Sequence, residues 1–292
     1  MHAGAKTMTL FPGGPYQSVL IPLDYAPSRD YRPRWGHSQR PHALLAGLLA
    51  RFQQDYREVL AGLGELRGQL ANIKQIFESE SAPEPGWLGG PITSLDCALL
   101  YYFVYRYRPR VYLEIGSGLT TCFARRAVDD HNIKTKIVSI DPSPRANIES
   151  ICDEVHRDGL ETADLAVFQD LQPGDIVFVD GSHRSFMNSD VTVFMLDILP
   201  QLRPGVVIHF HDIFLPYDYP DMFRDWYWNE QYLLGAYLLA APDRVRVLMP
   251  SYYVALTDGL LDSLGPPPVD LGANNESWRH GGSFWFTHTP EP

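Results

Sequence analysis

The sequence predicts an α/β fold built on a parallel, doubly wound sheet with a helical extension in front of it. Three observations predict it. From Val111 onward short apolar runs alternate with helical stretches, which is the pattern of strands joined by crossover helices. The first of these runs ends in a glycine turn, Val111–Thr121 (VYLEIGSGLTT). Upstream, residues 42–80 carry apolar side chains at alternating spacings of four and three, the period of a helix face.

Residues 1–41 are rich in Pro, Arg and Tyr without periodicity and read as an irregular segment. The stripe that follows runs Leu45, Leu49, Phe52, Tyr56, Val59, Leu63, Leu66, Leu70, Ile73 and Phe77. Gly62, Gly64 and Gly68 interrupt it, so the pattern allows one long helix or two with a break near Gly62–Gly64. Its apolar face packs either on its own domain or across a homo-oligomer. Pro83–Pro91 (PEPGWLGGP) reads as a linker, which divides the chain into 1–41, 42–91 and 92–292. Ser94–Tyr107 is apolar and helical, with Thr93 or Ser94 as cap. Strands are predicted at 111–115, 136–140, 165–168, 176–180 and 206–210, and helices at 119–130, 144–158 and 189–200. A helix at about 226–240 and strands at 244–249 and 283–287 follow, with a long excursion, 251–282, between those two strands.

Composition narrows the function. The 292 residues carry a net charge of −11. The first 67 hold 8 Lys+Arg against 5 Asp+Glu, which leaves 16 against 30 for the remainder of the 24 and 35. So acidic a main domain argues against a nucleic-acid partner and suits a cation or a cationic cofactor. Cys97, Cys122 and Cys152 show no CxxC spacing, as expected of reduced thiols in a cytoplasmic protein. No apolar run reaches membrane-spanning length and no signal-peptide core appears.

In open parallel sheets ligands lie at the C-terminal ends of the strands, and here those ends are chemically crowded. The first delivers Glu114, Gly116, Ser117 and Gly118; the second delivers Asp141, 23 residues beyond Gly118. A glycine turn that lets a ligand approach backbone, followed by an acid placed to grip two ribose hydroxyls, marks a nucleoside cofactor. The third glycine of a dinucleotide fingerprint is missing, because Leu119, Thr120 and Thr121 follow Gly118. That disfavours a pyrophosphate and favours S-adenosylmethionine. The third strand delivers Phe168, Gln169 and Asp170, where an amide can read an adenine edge. The fourth delivers Asp180 and His183, the fifth His211 and Asp212, while His209 lies within its strand as a core histidine would. Asp180, His211 and Asp212 can hold Mg²⁺ or Mn²⁺, with His183 three residues past Asp180 as a general base.

With these residues in place, the segments EIGSG, SIDP, PGDIVFVDGSH, LPQLRPGVVIHFHDIFLPYDYP and NEQYLLGAYL together resemble class I S-adenosylmethionine-dependent methyltransferases, and within them the family-24 group acting on small molecules. The resemblance spans about Ile92 to Phe286. It implies a Rossmann-like seven-stranded sheet whose last two strands form an antiparallel hairpin. A more distant likeness to catechol-type O-methyltransferases implies cofactor contacts at Asp141, Phe168, Gln169 and Asp180. It implies metal ligands at Asp180, His211 and Asp212 and a catalytic base at His183, with His211 standing where that group has a carboxylate. The expectation is therefore methyl transfer to the hydroxyl of a small-molecule acceptor, a sugar or secondary metabolite. The alternatives are a metal-dependent enzyme of another reaction type on the same fold, or a non-catalytic partner-binding protein. Residues 214–230, rich in aromatics and acids, are expected to line the acceptor pocket.

Overall fold

Short β-branched runs bounded by turns make the sheet. In the computed structural model, which describes residues 32–78 and 83–289, its strands are β1 (Val111–Ile115), β2 (Lys136–Ile140), β3 (Glu154–His156), β4 (Ile176–Val179), β5 (Val207–Phe210), β6 (Val245–Pro250) and β7 (Phe284–His288). They lie in the order β3-β2-β1-β4-β5-β7-β6. The first five run parallel, and β7 is antiparallel to both its neighbours, β5 and β6. The expected doubly wound sheet with an antiparallel end is present. Parallel strands carry helices on both faces and are buried throughout, as β1, β4 and β5 are at every residue.

Two predicted elements differ. The helix expected over 144–158 is an irregular run that closes into β3. Glu154–His156 is a half-buried edge strand whose polar residues mask its period. The strand expected at 165–168 is a single helical turn, Ala166–Gln169. Four apolar residues cannot distinguish a strand from a helix by period, and β3 already occupies the edge position.

The N-terminal stripe folds as α1 (Ala43–Ala50) and α2 (Gln53–Glu65), followed by a short turn of helix at Arg67–Leu70. The breaks fall at Arg51–Phe52 and Leu66 rather than at Gly62–Gly64. Gly62 stays helical and makes room for Tyr102, whose hydroxyl would lie 2.8 Å from an added Cβ. Leu45, Leu49, Tyr56, Leu63, Leu66, Leu70 and Ile73 are all buried in the main core. The stripe is thus spent inside the chain, and α2 packs against β6.

The presumed linker is not a linker. Gly86–Leu88 pairs in parallel with Lys74–Ile76, and Trp87 is buried between Phe123 and Trp278, each ring centroid 5.1 Å away. Trp278 comes from the 251–282 excursion, which also buries Leu260, Leu264 and Leu271. Proline and glycine content alone misread a packed segment. Pro33–Pro292 clusters as one compact unit. Residues 32–42 are irregular, as expected for 1–41, and the rest of that expectation lies outside the described residues. Among the described residues no helix is long and apolar enough to cross a membrane.

Candidate functional site

The chain leaves β1 through Gly116, whose φ is +81°. A Cβ there would stand 2.0 Å from the carbonyl oxygen of Asp180, so glycine is required for the ends of β1 and β4 to meet. Gly118 is a different case: it is buried, and an added Cβ would meet only Arg145 Cβ at 3.5 Å, an ordinary contact. The helix α4 (Leu119–Asp130) starts immediately after it. Asp141, at the end of β2, supports the turn from beneath. Its carboxylate accepts the backbone N–H of Ser117 at 2.6 Å and of Ser143 at 2.7 Å, which leaves lone pairs for a further donor. The Ser117 and Ser139 hydroxyls join at 2.7 Å.

Glu114 is fully buried one residue before the end of β1. Thr121 Oγ1 donates to its Oε2 at 2.5 Å, while Oε1 lacks a well-formed hydrogen bond among the described residues. Burial pushes the carboxyl up to about 8, against the pull of hydrogen bonds from Thr120 and Thr121. Phe168 and Gln169 do not occupy a strand end. Phe168 is buried with its ring centroid 6.5 Å from that of Phe194, and Gln169 is exposed at the end of its helical turn.

Beside the turn, β4 and β5 bring four side chains together. Asp180 follows β4 directly, its N–H bound to Ile115 O, and His211 follows β5, its N–H bound to Val179 O. His183 and Asp212 both sit in the left-handed region, with φ of +59° and +54°. Non-glycine residues held there are uncommon and concentrate at functional sites. His183 Nε2 lies 3.3 Å from Asp180 Oδ1 and 3.5 Å from Asp212 Oδ2. His211 Nδ1 faces the same two oxygens at 3.7 Å and 3.4 Å. Candidate ligand atoms of Asp180, His183 and Asp212 all lie within 4.8 Å of one another. The expected acid–histidine cluster is thus assembled, but His183, read from the sequence as a base apart from the metal ligands, stands as close to both aspartates as His211 does.

Electrostatics bind the cluster. Burial alone would lower both imidazoles. Hydrogen bonds to Asp180 and Glu230 nevertheless raise His183 well above its ordinary value, and the charges of Asp212 and Asp180 raise His211 to about 9. Burial works to raise Asp180 too, but His211 and His183 outweigh it and hold that carboxyl well below its usual range. His209 behaves as a core histidine: burial drives it far down, its ring stacks on Phe178 at 3.7 Å, and Nε2 meets Ser283 Oγ at 2.9 Å.

Sequence reasoning missed two carboxylates. Glu230, at the start of α6 (Glu230–Ala240; α5 is Asp190–Val193), is buried with Oε2 3.0 Å from His183 Nδ1. It lies in the quoted NEQYLLGAYL segment, where an acid reads as first-turn helix chemistry. Asp96, in the first turn of α3 (Ser94–Tyr107), reads as the partner of the Thr93 cap. It also accepts from Ser251 Oγ at 2.7 Å and from Gly282 N at 2.7 Å, and stands 3.9 Å from His211 Nε2. From the aromatic segment, Trp228 lies against His183, with ring centroids 4.3 Å apart.

Residues 113–213 match the model of a protein family described as a methyltransferase domain. The match runs from within β1 to just past β5, and so contains the glycine turn, Asp141 and the acid–histidine cluster. Among solved structures, the O-methyltransferase TomG from Streptomyces achromogenes, involved in tomaymycin synthesis and in complex with SAM, is 17% identical. The likeness covers 70% of this chain and 83% of that one, with a TM-score of 0.41. The O-methyltransferase from Bacillus cereus in complex with SAH is also 17% identical, over 80% and 91% of the two chains, with a TM-score of 0.40. The SAH-bound Podospora anserina methyltransferase PaMTH1 is 19% identical over 70% and 80%, with a TM-score of 0.41. Likeness this low says nothing of substrate or mechanism. None of the curated proteins compared with the chain matches it.

Proposed function

We propose that this protein transfers a methyl group from S-adenosylmethionine to a hydroxyl of a small molecule, a sugar or secondary metabolite, with a divalent cation at the acid–histidine cluster. The observation that carries this reading is the close approach of Gly116 to Asp180. It puts the glycine turn beside the cluster on one sheet edge, which supports a donor held at the turn next to an acceptor at the cluster. Asp141 and Ser117 would hold the nucleoside and Glu114 would face the cationic end of the cofactor. The sulfonium carbon is already electrophilic, so the protein has to align the acceptor oxygen and take its proton. The new bond is oxygen to methyl carbon, the sulfur–carbon bond breaks, and the proton passes from the acceptor oxygen to the acid–histidine cluster.

The donor set fits a divalent cation: two carboxylate oxygens and the imidazole nitrogens face one another at 3.3–3.7 Å, near the ~3.0 Å spacing of adjacent ligands on bonds of about 2.1 Å. A cation held by Asp180, Asp212 and His211, when bound, supplies Lewis-acid stabilisation of the developing alkoxide. Labelled S-adenosylmethionine, offered with candidate hydroxyl acceptors, tests the reading. Labelled methyl ether is the expected product. Excess chelator should abolish turnover and leave S-adenosylhomocysteine binding nearly intact. Cofactor binding without turnover on any acceptor would instead favour a partner-binding role, and full turnover in chelator would remove the cation.

A further inference from the structure

Each imidazole of the cluster has a carboxylate on both sides. The inner nitrogens, His183 Nε2 and His211 Nδ1, face the same pair of oxygens, Asp180 Oδ1 and Asp212 Oδ2, at 3.3–3.7 Å. The outer nitrogens face two further acids that do not reach that pair: Glu230 Oε2 lies 3.0 Å from His183 Nδ1, and Asp96 Oδ2 lies 3.9 Å from His211 Nε2. Both outer acids are buried and anchored elsewhere, Asp96 by Ser251 and Gly282 and Glu230 by its place at the start of α6. A histidine that binds a metal through one nitrogen almost always presents the other to a carboxylate, carbonyl or water, which fixes ring orientation and ligand basicity. Here that arrangement is formed at His183, whose Nδ1 meets Glu230, and only approached at His211, whose Nε2 has no hydrogen bond among the described residues and stands 3.9 Å from Asp96.

We propose that His183 and His211 are both metal ligands, that Glu230 and Asp96 are the residues that position them, and that the centre therefore selects a first-row transition-metal ion over magnesium. The inference rests on the cation in the function proposed above and goes beyond it by assigning nitrogen ligation and metal class. All-oxygen sets suit Mg²⁺, and imidazole shifts preference to the transition series. His211 is the residue at which this chain departs most plainly from an oxygen set. His183 adds a second nitrogen within ligand spacing of both aspartates.

Calorimetry of the full chain with Co²⁺ and Mg²⁺ as probes tests this, with the visible spectrum of bound Co²⁺ as a reading of nitrogen ligation. Wild type should bind one Co²⁺ at least 100-fold tighter than Mg²⁺. His183→Ala and His211→Ala should each weaken Co²⁺ more than tenfold and shift its spectrum, while Mg²⁺ affinity changes less. Glu230→Gln, which keeps the side chain's size, should cost about 10- to 100-fold in Co²⁺ affinity. His211→Glu should keep a cation but narrow the Co²⁺/Mg²⁺ ratio at least tenfold. Equal affinities in wild type, or His183→Ala binding Co²⁺ with unchanged affinity and spectrum, would overturn the assignment. Should His183→Ala fail to fold, an unchanged Co²⁺ affinity in Glu230→Gln overturns it instead. S-adenosylhomocysteine titrations separate the two levels. A wild type that binds the nucleoside but shows no Co²⁺ preference refutes only the metal assignment, whereas a wild type that prefers Co²⁺ but binds no nucleoside refutes only the methyltransferase reading.

Discussion

Replacing Glu114 by Gln probes the carboxyl buried one residue before the end of β1. In the fold this group keeps its proton to about pH 8 because burial disfavours the anion, whereas in the unfolded chain it ionises near 4.5. The sign follows: between those values ionisation favours the unfolded chain, so the contribution of Glu114 is full below pH 4.5 and is lost as pH rises through 8. At about 1.36 kcal/mol per pH unit the whole interval amounts to about 5 kcal/mol. Glutamine has the same shape and no proton to lose. Urea melts of wild type and Glu114→Gln from pH 5 to 9 should therefore diverge, the variant gaining on wild type at each step and levelling near pH 8. The same carboxyl should ionise when the cationic cofactor arrives. Calorimetry of S-adenosylmethionine binding at pH 7 in buffers of different ionisation heat should then show close to one proton released by wild type and none by the variant. Parallel stability curves would refute the burial argument, and equal proton release would refute the placing of Glu114 beside the cofactor.

Asp141→Ala removes the acceptor of the Ser117 and Ser143 N–H groups and is expected to weaken S-adenosylmethionine binding more than tenfold, about 1.4 kcal/mol or more, by calorimetry on folded protein. Gly116→Ala should act earlier, on the fold itself. With φ at +81° and a Cβ 2.0 Å from Asp180 O, it should cost about 3 kcal/mol or more in thermal or urea melts, before any cofactor is added. Leu63→Asp places a charge at a fully buried position of α2 and should lower stability by about 3 kcal/mol or more while light scattering shows the mass of wild type. A changed mass at unchanged stability would mean that the stripe serves a partner.

The strand ends were legible because strand and chemistry coincide there. Val111–Ile115 and Ile176–Val179 are apolar runs that stop at glycine or acid, and the parallel sheet carries those stops to one edge. Helix α2 was legible as a face but not as a partner choice, since a heptad stripe looks the same whether it packs on β6 or on another chain. The half-buried β3 was missed because neither a period of two nor an apolar run marks it. Trp87 and Trp278, distant in sequence, meet only in three dimensions, so a glycine- and proline-rich stretch concealed part of the core. Glu230 and Asp96 were hidden by a simpler role each also plays, at the first turn of a helix. Their second role depends on where α3 and α6 come to rest.

The position of β7 between β5 and β6 has a consequence for how the molecule is made. This strand follows β6 by more than thirty residues of intervening chain, yet it occupies an interior place in the sheet, and the residues just before it, Gly282 and Ser283, bind the carboxylate of Asp96. During synthesis β5 therefore leaves the ribosome with one edge bare, and His211 lacks its anchored neighbour. Only when β7 slots in do the bare edge and the half-built centre disappear together. A nascent chain stalled short of Gly282 would expose an unpaired strand, a target for chaperones, and would carry no finished centre.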